Sequence, residues 1–372
     1  MDRPLLPTTM VGSYPRPGWF RHQLEGRDIL EAFKVIHHKE AFEDAVGAVI
    51  ADQERAGLDI LADGQMWFDD YSMGIGSFLW YWLERIHGFG KEKLVHPARK
   101  KAQGRDEWAL DEAGGVGLHA EPRGGPIRMA ELFAIAQSRT KRPIKACVGA
   151  GPVQLSTLTV FVDGPVQDRY QLSAALAEIF NAEIRSLIEA GCSYIQLEDL
   201  GAWIPTLSGE KDFDWVARTV NATLAGTESA HTSWHFCLGN AWGNRMQGMT
   251  RAGYGDILHR YYDVNVRQYV LDFACREMQD AFILKDLPKD KEVAVGVIDV
   301  RTLEIEEPEQ VAERIRKVLA FVPAERVTVT TDCGMKQLPR FVAAQKLAAL
   351  VKGASIVRRE LLGASAGAGD PP

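Results

Sequence analysis

Residues 292–334 read EVAVGVIDVRTLEIEEPEQVAERIRKVLAFVPAERVTVTTDCG, and this stretch decides the fold class. It begins with an apolar run of strand length, EVAVGVIDV (292–300), and ends with a second one, VTVTTDCG (327–334). Between them, residues 307–322 have their apolar side chains at helical spacing and start with a proline among acidic residues, as helix N-termini prefer. A strand, a helix and a second strand in this order predict a parallel strand–helix–strand unit.

The same alternation runs through the rest of the chain. The other apolar runs of strand length are TTMVGS (8–13), LDILADG (58–64), IKACVGAG (144–151), SYIQLED (193–199), HTSWHFCLG (231–239) and QYVLDFA (268–274). Helical spacing is clearest in residues 40–57, 170–191 and 213–226. Eight strand–helix repeats in 372 residues predict an α/β fold, a (β/α)8 TIM barrel. A doubly wound sheet is disfavoured because GAGPV (149–153) lacks the third glycine and the spacing of a dinucleotide fingerprint.

Two segments do not fit the repeat. Residues 88–128, rich in Lys, Gly, Pro and His, are predicted to be an insertion after the second unit of the barrel. The small residues of GASAGAGDPP (363–372) have nothing to bury, so a flexible tail is expected there. We therefore predict a single barrel domain over residues 1–362, with no linker that divides it.

Composition excludes several kinds of partner. The chain has 43 basic and 50 acidic residues, a formal net charge of −7 and a pI near 5.8. This balance disfavours nucleic-acid and anionic-membrane partners, which call for a basic face. No apolar run approaches the length of a membrane span, and the N-terminus lacks the pattern of a signal peptide. We therefore expect a cytoplasmic protein whose five cysteines form no disulfide framework and whose partners are small molecules, with a homo-oligomer left open.

Polar side chains gather at the predicted carboxyl ends of the strands, where the active sites of such barrels lie. Charged groups there are costly unless they are paired, hydrogen-bonded or bound to metal, so their placement indicates a functional site. The polar residues at these predicted strand ends are Ser13, Asp63, Gln65, Glu198, Asp199, His235, Cys237, Asp272, Asp299, Arg301, Asp332 and Cys333.

His235 and Cys237 are two residues apart on one predicted strand, so both side chains lie on the same face and are able to bind one ion. Asp272 and Cys333, at the ends of later strands, would complete a His, Cys, Asp, Cys ligand set for zinc. The alternative is that both cysteines are small buried hydrophobic residues and that His235 is a hydrogen-bonded core histidine. The HxC pair alone does not separate these interpretations.

Four motifs of the chain form a recognisable pattern: TTMVGSYPRP (8–17), HFC (235–237), GVIDVRTLEIEEPEQVAERIRKVL (296–319) and TTDCGMKQLPR (330–340). Together they resemble the catalytic barrel of the cobalamin-independent methionine synthase family. In that family the HxC pair, a glutamate on the next strand and the cysteine of DCG hold a zinc ion. The resemblance therefore implies that His235, Cys237 and Cys333 bind Zn2+. The family glutamate falls on Asp272, with Glu277 as a second candidate.

Coordination to zinc removes the proton of a thiol at neutral pH, and two cysteine ligands leave the bound substrate sulfur nucleophilic. The resemblance thus implies a zinc-dependent transferase, which activates a small thiol as a zinc thiolate and attaches an alkyl group to it.

Other family positions are altered. Gln65 stands where a glutamate helps to hold the amino group of homocysteine, and Glu198 replaces an aspartate. Thr157 lies near the tryptophan on which methyltetrahydrofolate rests in the family. Arg301 replaces a histidine proposed as the acid for the departing pterin, a role that an arginine cannot fill at neutral pH. Zinc binding is thus predicted to be retained and most folate contacts to be lost.

Three functions remain open. In the first, Arg301 and Arg245 neutralise an anionic head group, and the enzyme resembles the epoxyalkane:coenzyme M transferases, which open an epoxide, or transfers a methyl group. In the second, it is a short methionine synthase that methylates homocysteine from a non-polyglutamate donor. In the third, it is a metal-free barrel that binds a ligand or acts as a decarboxylase. For the enzyme we predict catalytic roles for Arg301 and Glu198, and substrate binding by Ser13, Gln65, Glu198, Arg245 and Arg301.

Overall fold

Seven parallel strands form the central sheet of the computed structural model, which describes residues 4–24, 29–68, 76–94, 115–240, 253–255 and 257–367. In order across the sheet they are β1 (Leu61–Ala62), β4 (Ile144–Gly149), β6 (Tyr194–Glu198), β7 (His231–Phe236), β8 (Gln268–Asp272), β9 (Glu292–Ile298) and β10 (Val327–Thr331). Their burial is continuous or nearly so, as expected for parallel strands that are covered on both faces.

The prediction of a regular strand at residues 8–13 is wrong. This segment forms only a single bridge, between Thr8 and Val329 of β10. The segment nevertheless lies between the two edges of the sheet. Val329 N donates to Pro7 O at 2.8 Å, and Val329 O accepts from Thr9 N at 2.9 Å. On the other side, Thr8 O accepts from Ile60 N, next to β1, at 3.0 Å. This irregular segment occupies the eighth position, so the fold is the predicted (β/α)8 barrel.

Two predicted strands extend beyond the residues at which the strands of the structure end. β7 stops at Phe236 and β10 at Thr331, whereas the apolar runs continue to residues 239 and 334. Beyond these points the backbone bonds to side chains: Leu238 N donates to Asp272 and Gly239 N donates to the sulfur of Cys237. The carboxyl ends of the strands thus turn into loops where the predicted site residues lie.

Helices cover the outside of the sheet and agree with the predicted segments to within a few residues. Asp168 caps the helix Arg169–Glu189 by accepting from Tyr170 N and Gln171 N. Glu307 and Gln310 form a capping box on the helix of the opening stretch. The helices are α1 (Gly18–Leu24), α2 (Ile29–Ala32), α3 (Ile36–Ala56), α4 (Gly76–Leu83), α5 (Met129–Gln137), α6 (Pro152–Thr157), α7 (Arg169–Glu189), α8 (Ile204–Ser208), α9 (Asp214–Thr223), α10 (Pro308–Leu319) and α11 (Arg340–Gly367).

A second, smaller sheet lies in the region of the predicted insertion. Its strands are β2 (His87–Leu94), antiparallel to β3 (Gly115–Arg123), and β5 (Thr159–Phe161), parallel to β3. Residues 95–114, within the predicted insertion, and residues 368–372 of the predicted tail lie outside the described residues. The described part of that tail, up to Gly367, continues helix α11.

One hydrophobic core extends from Leu6 to Val357. The aromatic stretch after β1 contributes to it: Trp82 of α4 is fully buried and stacks on Phe180 of α7, with ring centroids 3.8 Å apart. Among the described helices, none combines the length and the apolar character that a membrane crossing requires.

Candidate metal centre and substrate cavity

The carboxyl ends of β7 and β10 bring one histidine and two cysteines together. His235 lies on β7, Cys237 follows that strand directly, and Cys333 follows β10. The two Sγ atoms are 3.3 Å apart, and the ligand atoms of all three residues lie within 4.8 Å of one another. Imidazole nitrogen with two thiolates is a donor set that suits zinc, and three protein ligands leave a position for substrate. The residues present therefore fit a catalytic zinc ion.

Asp272, at the end of β8, contacts the histidine of this cluster. Its Oδ1 is 3.1 Å from His235 Nε2, while its Oδ2 accepts from Leu238 N at 3.0 Å and from the Arg301 guanidinium at 2.7 Å. Within the described chain, the carboxylate is not part of the set of ligand atoms that lie within 4.8 Å of one another. The alternative ligand, Glu277, is exposed, so the structure does not bring it to the cluster.

Arg301 lies behind the cluster rather than on the cavity. Its Nη1 is 3.2 Å from Asp332 Oδ2, its Nε donates to Gly239 O at 2.8 Å, and 1% of its side chain is exposed. Asp332 in turn accepts from the backbone N–H groups of residues 273–275. Its Nε, Nη1 and Nη2 thus each donate to a buried protein group, while the predicted contact of Arg301 with a substrate anion stays a prediction. Arg245, the other predicted anion-binding residue, lies outside the described residues.

A cavity opens beside the cluster and contains the other predicted substrate residues, Ser13, Gln65 and Glu198. Glu198 Oε2 accepts from Gln65 Nε2 at 2.9 Å, and its Oε1 accepts from Gln196 Nε2 at 3.0 Å. The two amides therefore hold the carboxylate in place, and they leave its negative charge on the cavity wall.

Burial and neighbouring charges shift the pKa values of the cluster. Burial lowers the pKa of His235, but the hydrogen bond and the charge of Asp272 outweigh it and raise the pKa to about 9. Burial would raise the pKa of Asp272, but His235 and Arg301 hold it below its ordinary value. The hydrogen bond from Cys237 and the charge of His235 lower the pKa of the Cys333 thiol. These shifts favour an imidazolium at His235 beside a thiolate at Cys333. Binding of a metal would therefore release the imidazolium proton, because zinc requires the neutral ring.

Four polar cavity residues were not predicted from the sequence: Gln154, Asn240, Lys336 and Gln337. Lys336 places its ammonium 4.4 Å from the centroid of the Phe68 ring. A usable signal existed for two of them, because Asn240 and Lys336 each come three residues after a predicted ligand, Cys237 and Cys333. Loops that begin at a metal ligand stay close to it for a few residues.

Comparison with known protein families decides the assignment. The family model described as cobalamin-independent synthase, catalytic domain, matches residues 6–74 and 122–355. The chain belongs to this family. The resemblance in its motifs is therefore confirmed, and the protein is an enzyme of the methyltransferase class.

Full-length relatives agree with this assignment. A methionine synthase of Saccharolobus solfataricus is 30% identical over 361 residues, which cover 96% of this chain and 96% of that protein. A methionine synthase of Pyrococcus horikoshii is 29% identical over 367 residues, covering 97% and 95%. Among solved structures, a B12-independent methionine synthase from Shewanella sp. W3-18-1 in complex with selenomethionine has a TM-score of 0.78 and 24% identity, covering 96% of this chain and 99% of that one. The structural likeness supports the barrel fold of this family member.

Proposed function

We propose that this family member is a zinc-dependent enzyme that methylates the sulfur of homocysteine, and thus a short methionine synthase. The observation that carries the proposal is the convergence of His235, Cys237 and Cys333 beside a cavity that also presents the carboxylate of Glu198. A thiol-binding metal centre and a fixed negative charge for an ammonium group then belong to the same cavity. The full-length similarity to two methionine synthases supports the same function.

In this proposal His235, Cys237 and Cys333 hold the zinc. When bound, zinc supplies the Lewis acidity that keeps a substrate thiol deprotonated at neutral pH. Asp272 does not need to be a direct ligand, because its carboxylate is shared among His235, Leu238 N and Arg301. We assign it a positioning role: it fixes the imidazole ring, as carboxylates beside metal-binding histidines commonly do. Arg301 in turn fixes Asp272.

Other residues of the same cavity bind the amino-acid end of the substrate. Glu198, held by Gln65 and Gln196, offers a negative charge for the ammonium group of homocysteine. Ser13 and Lys336 line the same cavity and offer a hydroxyl and a positive charge for its carboxylate. Binding of the ammonium and carboxylate groups at one end of the amino acid aligns the sulfur at its other end with the methyl group, and such alignment supplies much of the acceleration in a transfer reaction.

Coenzyme M is the less favoured thiol. Of the two arginines predicted to neutralise its sulfonate, Arg301 donates to Asp272, Asp332 and Gly239 O, and Arg245 lies outside the described residues. Coenzyme M also has no ammonium group for Glu198 to bind.

The methyl donor is proposed to be simpler than a folate polyglutamate. Thr157, near the position of the family tryptophan, has no aromatic face for a pterin, and its hydroxyl donates to Val153 O at 2.8 Å. Arg301 supplies no acid for a leaving pterin, since the guanidinium stays charged.

Two measurements test the proposal. Metal analysis of the purified protein is expected to give about one zinc per chain, lost in Cys333→Ala and retained in Cys192→Ala, a buried cysteine outside the cluster. Incubation with L-homocysteine or coenzyme M, and with methylcobalamin or monoglutamyl methyltetrahydrofolate as donor, is then followed by mass spectrometry. We expect methionine and no methylated coenzyme M. A protein without zinc contradicts the metal centre, and methylation of coenzyme M alone contradicts the proposed substrate.

A further inference from the structure

Asn240 has an unusual place in the substrate cavity. It lies three residues after Cys237, lines the cavity and is 9% exposed. Its Nδ2 donates to Gly334 O at 3.0 Å. The Oδ1 atom of the same amide is buried and has no hydrogen-bond partner among the described residues.

The orientation of this amide follows from its one hydrogen bond. A 180° flip would turn Oδ1 towards the carbonyl of Gly334, and two acceptors would then face each other. The carbonyl is itself fixed, because the next residue, Met335, donates its N–H to Ser13 O at 2.7 Å. Asn240 is thus held with its acceptor atom unused.

An unused buried acceptor costs free energy, and the usual explanation in a functional site is a ligand that provides the donor. The charges of the cavity specify the donor further. Glu198 favours a cationic group, whereas Lys336 favours an anionic one. A ligand that carries both, an amino acid with an ammonium group, matches the acceptor of Asn240 and the two charges together.

We propose that Asn240 is a specificity-determining residue that accepts a hydrogen bond, through Oδ1, from the ammonium group of the thiol substrate. The inference rests on the proposed function and names a residue that selects amino-acid thiols over thiols without an amine. A site that hydrogen-bonds a substrate N–H rejects the analogue that lacks it, because its own polar group is then left unpaired.

Calorimetric titration of the zinc-loaded protein, without a methyl donor, tests this. The ligands are L-homocysteine and 4-mercaptobutyrate, the same thiol without the ammonium group. We expect the wild-type protein to bind homocysteine more tightly by about ten-fold or more. In Asn240→Leu this preference should fall several-fold, while the affinity for 4-mercaptobutyrate is unchanged or higher. Omitting the donor ensures that any effect comes from the thiol and not from an amine of the methyl donor.

Controls separate the possible failures. Asn265→Leu, at an exposed asparagine, should keep the wild-type preference, and Asn240→Ala should repeat the loss if the leucine variant does not fold. Zinc content and thermal unfolding check each variant. If thiols bind but Asn240→Leu and Asn240→Ala keep the preference, or lose affinity for both ligands equally, the role of Asn240 is refuted and the proposed function stands. If neither thiol binds the wild-type protein, both proposals fail.

Discussion

The guanidinium of Arg301 lies 2.7 Å from the Oδ2 atom of Asp272, and 1% and 0% of the two side chains are exposed. Asp332 completes the group at 3.2 Å from the same guanidinium. One cation thus holds two buried carboxylates, one of which contacts the metal-cluster histidine. Burial raises the pKa of Asp332 well above its ordinary value, whereas His235 and Arg301 hold the pKa of Asp272 low. Arg301 therefore offsets negative charge on the buried carboxylates beneath the cluster.

Replacing Arg301 by methionine is expected to destabilise the protein strongly. The variant leaves buried carboxylate charge without its partner, a change that typically costs about 3–5 kcal/mol. Urea unfolding followed by circular dichroism measures the loss. The control is Arg316→Met, which removes an exposed ion pair with Glu360 and should change the free energy of unfolding by less than about 1 kcal/mol. Equal stability of the two variants would contradict the structural role of Arg301.

Asp272→Asn tests whether this residue orients the histidine or binds the metal itself. Because asparagine keeps the shape of the side chain but weakens its hold on His235, we expect zinc affinity to fall by about 10–100-fold. Competition with a chelator measures it. In Cys333→Ala, which removes a ligand, the metal should be lost. An Asp272→Asn variant as devoid of zinc as Cys333→Ala would show that Asp272 is a direct ligand.

Asp63 is expected to make stability depend on pH. Burial raises its pKa from 3.8 to about 6, so the folded protein keeps this proton at pH values where the unfolded chain has released it. The contribution of Asp63 to the free energy of unfolding therefore falls as pH rises from about 4 to about 6, by roughly 3 kcal/mol in total. Asp63→Asn lacks this titration, so its free energy of unfolding should rise by about that amount relative to that of the wild type between pH 4 and pH 7.

The measurement is urea unfolding of both proteins at a series of pH values. The exposed Asp163→Asn variant controls for the loss of one carboxyl group. A stability difference between Asp63→Asn and wild type that does not change with pH would contradict the prediction.

Gly334 is expected to tolerate no side chain, because an added Cβ would lie 1.9 Å from Ser13 Oγ. In Gly334→Ala the Ser13 hydroxyl must leave its present position. We expect homocysteine affinity to fall by about ten-fold, with the zinc content unchanged. Calorimetry and metal analysis measure the two quantities. Gly18→Ala, where an added Cβ has no neighbour within 4 Å, is the matched control. The double variant Ser13→Ala, Gly334→Ala removes the contact with Ser13 Oγ. Loss of zinc in Gly334→Ala or in the double variant would contradict this account.

Local patterns predicted the barrel because each strand and helix is specified by residues close in sequence. The capped helices, such as Pro308–Leu319, and the apolar strands, such as Glu292–Ile298, were predicted to within a few residues. Residues 8–13 deviate because their apolar pattern matches a strand, while their hydrogen bonds go to Val329 on one side and to residues 59 and 60 on the other. Closure of the barrel at this point depends on partners distant in the chain.

The sequence by itself determined the strand–helix repeat, the family and four candidate metal ligands, since these depend on residue type and spacing along the chain. Tertiary structure alone decided how those ligands and the other polar residues are used. It placed Cys237 and Cys333, 96 residues apart, with their sulfurs 3.3 Å from each other, and it buried Arg301 against Asp272 and Asp332 instead of in the cavity. It also left the Oδ1 atom of Asn240 without a partner among the described residues. The physical reason is that hydrogen bonding and charge pairing depend on distance in space, which residue type and sequence spacing do not specify across strands.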